Sequence, residues 1–327
     1  FAGVGGIDLG FEQAGFDVVY ANEICKKASQ TYKKNHQIRL DTRDIRDVKS
    51  DEIPDFDVML AGFPCQAFSV AGYRQGFNDE KGRGNLYFEL ERIMKDKKPK
   101  LVFLENVKNL VGHDKGRTFR VIRRSMEDLG YKIHHRVMNA CEYGNIPQNR
   151  ERIYIVGFLD NGMSDCFRFP DEIQLETTIG EIFDFEERVD ERYYYREDAY
   201  MYEDLKREMT SIETVYQWRR KYVRENKSNL CPTLTANMGT GGHNVPLILT
   251  SHGIRKLTPK ECFMVQGFDR TFELPTDVAN SHLYKQAGNS VVVPVIRRIA
   301  ISIMSAINLE EPAPNPKGII TLRDYHN

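Results

Sequence analysis

The sequence predicts an α/β fold in which a large domain built on buried strands carries a smaller second domain. Three observations lead there. Apolar runs such as Val58-Met59-Leu60-Ala61 and Leu101-Val102-Phe103-Leu104 are continuous rather than alternating, the pattern of strands covered on both faces. They alternate with segments of helical period, first Leu86, Leu90, Ile93 and Met94, then Phe119, Ile122, Met126 and Leu129. At 327 residues and 41% hydrophobic content, the chain can bury a sizeable core and is long for a single domain.

Composition narrows the classes. The six cysteines (Cys25, Cys65, Cys141, Cys166, Cys231, Cys262) are scattered, without C-x-x-C or metal-ligand spacing, which points to reduced thiols in a cytoplasm and to no metal site. No apolar run approaches the roughly 20 residues that span a bilayer, and no signal peptide is visible in a chain that opens at Phe1. The net charge of −1 conceals segregation: residues 92–152 hold fifteen Lys/Arg against seven Asp/Glu, and residues 171–213 hold fifteen acidic against five basic. A basic face beside a cleft suits a polyanion, because the local field steers association.

In chain order, Phe1-Ala2-Gly3-Val4-Gly5-Gly6 reads as a tight turn into a helix N-terminus, the arrangement that cradles a nucleotide, with the strand that should precede it missing. The third glycine of G-x-G-x-x-G would fall on Asp8, which disfavours a nicotinamide dinucleotide. A second strand over 18–21 ends at Asn22-Glu23, about 20 residues after the first glycine, where a carboxylate can accept ribose hydroxyls. Asp44-Ile45 ends the next unit, placing an acidic group for an adenine amine.

The strand at 58–61 delivers Gly62-Phe63-Pro64-Cys65-Gln66-Ala67-Phe68-Ser69 to its carboxyl end, where open α/β sheets bind ligands. Pro64 stiffens the turn and Gly62 admits close approach, so Cys65 is a candidate nucleophile, with a small buried hydrophobe as the alternative. Residues 71–85, with four glycines, read as a lid or a long solvated loop. The helix from Leu86 must stop before Pro99. A strand over 100–104 then brings Glu105-Asn106-Val107 to the edge that holds Cys65. After a helix closed by Gly130, strands over 131–138 and 153–158 flank Gln148-Asn149-Arg150-Glu151-Arg152, whose two arginines point to one face.

The ordered set F-A-G-V-G-G, A-N-E, G-F-P-C-Q-A-F-S, G-N-L-Y-F-E-L, E-N-V, Q-N-R-E-R, R-K-L-T-P-K-E-C and Q-A-G-N-S-V-V resembles the successive motifs of bacterial cytosine carbon-5 DNA methyltransferases of restriction-modification type. The match spans the chain apart from about 161–228. It implies a Rossmann-like S-adenosylmethionine-dependent methyltransferase fold with a mixed seven-stranded sheet and a smaller target-recognition domain. The expected division is 1–178 catalytic and cofactor-binding, 179–262 target recognition, 263–288 hinge, and 289–327 returning to the catalytic domain. The resemblance implies S-adenosylmethionine against Phe1, Gly3, Gly6, Glu23, Ile24, Asp44, Ile45, Gly62, Leu86, Asn289 and Val291. It also assigns Cys65 as nucleophile, Glu105 and the Pro64 carbonyl to the cytosine ring nitrogen and amine, and Arg150 and Arg152 to the active site.

The implied partner is double-stranded DNA, met by a monomer without membrane or metal. Contact candidates are Arg219, Arg220, Lys221, Thr233, Thr235, Asn237 and Arg255, with His243 and Asn244 beyond them. The roughly 90 residues between the arginine motif and R-K-L-T favour DNA over tRNA, and the intact Pro64-Cys65 and Glu105 argue against a non-catalytic binding module. Met264 departs from the resemblance, which carries Arg there. Residues 310–316, with three prolines, read as a surface strap.

Overall fold

The computed structural model describes residues 1–64, 86–219, 221–239 and 245–308. Helix α1 (Gly6–Glu12) leads to strand β1 (Ala21–Asn22), α2 (Lys26–Asn35), β2 (Leu40–Asp41), β3 (Val58–Gly62), α3 (Leu86–Lys97), β4 (Leu101–Val107), α4 (Arg117–Asp128) and β5 (Lys132–Asn139). There follow α5 (Ala140–Tyr143), β6 (Gln148–Asn149), β7 (Glu151–Phe158), α6 (Asn161–Cys166), α7 (Ile179–Ile182), α8 (Tyr202–Glu208), β8 (Tyr216–Trp218), β9 (Val223–Glu225) and β10 (Cys231–Pro232). The chain closes with β11 (Leu247–Thr250), β12 (Gly253–Lys256), α9 (Pro259–Met264), α10 (Asn280–Asn289) and α11 (Val293–Ile307).

The central sheet runs β3-β4-β7-β5, parallel at the first pair and antiparallel at the next two. Its middle strands are apolar throughout because both faces are covered. Leu101 and Phe103 pack with α1 and α11 on one side, while Val102 and Leu104 pack with α3 and α4 on the other. Val102, Phe103 and Leu104 are fully buried, each worth about 1.5–3 kcal/mol of transfer free energy. The first helix and α11 form the tightest helix pair: a Cβ on Gly10 would meet Ile296 at 2.6 Å. The segment 280–307 is apolar enough by composition to cross a bilayer, but 67% of its most apolar window is buried in the protein.

The seven-stranded sheet expected from the resemblance is not what the described residues pair into. Strands β1 and β2 form a separate parallel pair, and the ladder is interrupted between them and β3. There a cleft of about 460 Å³ is lined by Val18, Tyr20 and Asn22 on one wall and Val58, Met59 and Leu60 on the other. The strand anticipated over 18–21 is correspondingly reduced to Ala21–Asn22, since residues 18–20 have no ladder partner among the described residues.

A second, antiparallel sheet runs β12-β11-β8-β9 and packs on α8 through Leu205, Met209, Tyr216, Trp218, Leu247 and Ile254. Between these strands in sequence, β10 leaves its neighbours and pairs in parallel with β6 of the arginine motif.

Candidate active site

Three strand ends meet at one edge of the central sheet. Glu105 lies opposite Gly62 on β3 and Tyr154 on β7, while Val107 faces Arg152, which in turn faces Met138. This registration brings Arg152 to Glu105, Nε to Oε1 at 3.1 Å, with both side chains largely enclosed. Burial pushes the Glu105 carboxyl above the usual carboxylate range, and the neighbouring Arg152 and Arg150 offset only part of that rise. A carboxyl so placed keeps its proton to higher pH than an exposed one, which suits proton donation.

The next residue anchors the segment that precedes Cys65 in sequence. Asn106 donates from Nδ2 to the Phe63 carbonyl at 2.8 Å and accepts the Val107 N–H at 2.9 Å. The chain two residues before Cys65 is thereby tied to the strand that carries Glu105. Pro64 is exposed at the edge, and Cys65 lies outside the described residues. Gly62 sits beside this pair: a Cβ there would be in ordinary contact with Ile7 Cδ1 at 3.4 Å and Glu105 Oε2 at 3.6 Å. The sequence reading passed over Asn106, although the E-N-V motif held the signal.

Arg150 plays another part than the one expected of it. Its guanidinium is buried and donates to the carbonyls of Leu234 (2.8 Å), Gly288 (3.0 Å) and Ser290 (2.5 Å). Burial, aided by Arg152, lowers its pKa to about 9. Arg150 is therefore a clamp between the 234 and 288–290 segments rather than a group open to a substrate. Gln148 and Gln266, also missed from sequence, extend the seam: Gln148 donates to the Val265 carbonyl at 2.7 Å and Gln266 to the Ala287 carbonyl at 2.8 Å.

The candidate cofactor residues gather around the glycine turn. Gly3 and Gly5 have φ of 60° and 87°, left-handed values that suit glycine. The Gly3 N–H donates to Glu23 Oε2 at 2.8 Å, and the Cys25 N–H donates to Oε1 at 2.8 Å. A Cβ on Gly6 would stand 2.9 Å from Ser290 Oγ and 3.0 Å from Val291 Cγ2, so the first and last of these motifs are in contact. Ile24 is 55% exposed beside Glu23, and nothing lies within 4 Å of a Cβ on Gly3. That leaves open space with an apolar wall and a carboxylate, which fits an adenosine-like group. Ile45 is buried, Asp44 caps Arg46 N–H and pairs with its guanidinium, Leu86 begins α3, and Asn289 is exposed at the end of α10.

Of the DNA-contact candidates, Arg219 and Lys221 are exposed at the β8–β9 turn, and Arg220 lies outside the described residues, as do His243 and Asn244. Thr233 donates to the Asn149 carbonyl at 2.5 Å and Thr235 to Asn237 Oδ1 at 2.8 Å. Arg255 requires correction. It is fully buried and forms a bidentate pair with Glu261 at 2.7 and 2.8 Å, so its charge is spent inside the protein and cannot reach a phosphate. Among the described residues no group of three or more His, Cys, Asp or Glu could hold a metal ion.

A nucleotide-type glycine turn, a buried carboxyl beside an arginine at one strand edge, and the Phe63-Pro64 segment tied to that edge fit a methyltransferase of α/β type. The chain belongs to the C-5 cytosine-specific DNA methylase family, whose description it matches over residues 1–305. It is 60% identical over 309 residues to the type II methyltransferase M.Bsp6I of Bacillus sp. (strain RFL6), covering 94% of this chain and 98% of that one. It is 38% identical over 323 residues to the type II methyltransferase M.HhaI of Haemophilus parahaemolyticus, covering 95% and 94%. Among solved structures, the S. pombe Dnmt2 methyltransferase shares the fold with a TM-score of 0.69 at 19% identity over 94% of this chain and 96% of that one.

Proposed function

We propose that this chain is the modification enzyme of a restriction-modification system, acting as a cytoplasmic monomer that methylates carbon 5 of one cytosine within a specific double-stranded DNA sequence. The observation that carries the reading is the buried Glu105–Arg152 pair on the strand whose Asn106 anchors the turn leading to Cys65. Carbon 5 of cytosine is a poor nucleophile. Addition of the Cys65 thiolate to carbon 6 makes carbon 5 electron-rich, splitting one hard step into two easier ones. Glu105 supports that addition by donating at the ring nitrogen, a role its raised pKa suits, and Arg152 holds the ring carbonyl. The Pro64 carbonyl accepts from the exocyclic amine. S-adenosylmethionine, held by the glycine turn, Glu23 and Ile24, supplies the methyl group. Loss of the carbon 5 proton and departure of Cys65 then restore the aromatic ring. Because a base inside a duplex is out of reach, the cytosine is flipped out. The sheet of β8, β9, β11 and β12 and the 231–239 segment serve recognition, consistent with a target-recognition domain near 179–262.

Bisulfite sequencing of DNA from cells expressing the protein tests the reading. Protection should appear at one sequence context and vanish with Cys65→Ala, while the purified variant still binds S-adenosylmethionine. Undiminished methylation by the variant would overturn the covalent mechanism, and methylation confined to tRNA would overturn the substrate.

A further inference from the structure

The basic span noticed in the sequence becomes a surface in the structure. Beyond Val107, the strand that carries Glu105 turns out over residues 108–116 and enters α4. Val107 stands two residues past Glu105, about 7 Å along the strand, and faces Arg152 across the ladder. The surface that follows therefore flanks the edge where the base would be handled.

Between residues 108 and 124 there are six cations (Lys108, Lys115, Arg117, Arg120, Arg123, Arg124) and a single carboxylate, Asp114. Three are neutralised locally: Lys108 by Glu151, Arg117 by Asp114 and Arg123 by Glu127. Among the described residues no carboxylate lies within ion-pair distance of the other three. Lys115 and Arg120 are exposed and stand together, since Arg120 Nη1 lies 3.4 Å from the Lys115 carbonyl and 3.1 Å from where a Gly116 Cβ would be.

Their placement opposes ordinary helix electrostatics. The first turn of α4 contains no acidic residue and its N-cap, Gly116, offers no side chain. Cations are thus gathered at the positive end of a helix dipole, where anions are favoured. The turn that presents them is itself costly: Asp114 and Lys115 have φ of 49° and 54°, left-handed values for two non-glycine residues in succession, followed by Gly116 at 76°. It is held by the His113 ring nitrogen against the buried Thr118 hydroxyl at 2.6 Å. Val107 and Val111, 37% and 38% exposed, add apolar surface to the same segment. An external polyanion would relieve both the repulsion and the dipole.

We infer that the 107–120 surface, with Lys115 and Arg120 at its centre, binds phosphates of the duplex flanking the flipped base, as a second DNA-backbone contact on the catalytic side of the cleft. This rests on the reading of the chain as a duplex-DNA methyltransferase. The test is the salt dependence of binding to a fluorescein-labelled mixed-sequence duplex of about 30 base pairs. Each phosphate contact contributes about 0.9 to the slope of log K against log salt. Lys115→Ala/Arg120→Ala should therefore flatten the slope by about 2 and weaken binding tens of fold near 0.1 M salt, equally for all sequences. Lys33→Ala/Lys100→Ala, which removes two exposed cations elsewhere, should leave the slope unchanged.

A wild-type slope in the first variant, or an equal change in the control, would overturn the inference while leaving the methyltransferase reading intact. So would a loss confined to a single-stranded RNA of the same length. Failure of the wild-type protein to bind or methylate any duplex would instead remove the reading on which the inference rests. Unfolding midpoints of both variants, expected to match wild type, separate a lost contact from a lost fold.

Discussion

Gly288→Ala sets two expectations of opposite sign against each other. Gly288 lies within α10, where replacing glycine by alanine ordinarily stabilises a helix by about 1 kcal/mol. Here the added methyl would stand 2.2 Å from the Thr235 carbonyl carbon, 2.3 Å from its oxygen and 2.6 Å from the Ala236 nitrogen, all backbone atoms that cannot swing aside. Restoring a carbon contact of about 3.5 Å requires the two segments to part by more than 1 Å. Arg150 spans that gap, donating to Leu234 and to Gly288 at 2.8 and 3.0 Å. Parting the segments therefore breaks at least one charge-assisted bond. Overpacking costs about 1–3 kcal/mol and the lost bond about 1.5–3 kcal/mol, so the net destabilisation should be about 2–5 kcal/mol. Urea unfolding followed by circular dichroism measures it, with Gly180→Ala as companion. A Cβ at Gly180 meets only Thr178 Oγ1 at 3.9 Å, and that variant should be neutral or slightly stabilised. In a DNA titration, Gly288→Ala should also raise the KM for duplex more than it lowers kcat, because the displaced residues precede Asn237. Unfolding of Gly288→Ala at or above the wild-type midpoint would refute the account of a rigid seam.

The remaining expectations are briefer. The raised pKa of Glu105 means its protonated fraction, and with it kcat, should fall as pH rises through that value, whereas Glu105→Gln should show a lower rate without that limb. The same shift fixes the stability sign: a carboxyl whose folded pKa exceeds its unfolded one costs stability as pH climbs between the two, so acid titration of the wild type should gain stability that Glu105→Gln does not. Arg255→Ala should destabilise by about 3–5 kcal/mol, since it strands a buried Glu261, yet leave the salt slope of DNA binding untouched. Asn106→Leu should cost about 1–3 kcal/mol by orphaning the buried Phe63 carbonyl, and it should slow covalent trapping on 5-fluorocytosine duplex through loss of the turn's anchor.

Much of the catalytic half was legible because its signals are local. A continuous apolar run such as Leu101-Val102-Phe103-Leu104 can hardly be anything but a strand buried on both faces, and the strand end then dictates where Glu105 goes. Strand ends alone brought Glu105 to the edge that leads to Cys65, whereas Arg152 was assigned to the site only through the family resemblance. What escaped were the non-local pairings. Nothing within Cys231-Pro232 announces a ladder with Gln148-Asn149 some eighty residues earlier, and so the internal use of the Thr233 hydroxyl was invisible. Arg255 misled for a related reason: an arginine next to a lysine reads as surface charge until Glu261, six residues on and in the next helix, closes over it. The capping pattern Thr258-Pro259-Lys260-Glu261 was readable, but it accounts for only part of what that carboxylate does. The interrupted ladder beside β3 could not be foreseen from apolar periodicity, which says that a strand is present without saying which neighbour it finds.

The seam between β10 and β6 bears on how new sequence specificities arise in this lineage. Residues 231–239 lie in the recognition half of the sequence, yet mechanically they belong to the catalytic body: Cys231 is laddered to Gln148, Thr233 is bonded to Asn149, Leu234 is gripped by Arg150, and Gly239 is wedged against Tyr284. A recombination event that imported these residues from a distant donor would bring one side of a joint without the other. Crossovers that leave 231–239 with the recipient and exchange only the sheet-forming stretch before it should yield folded hybrids, and those that cut through the seam should be lost before their specificity is ever tested by selection.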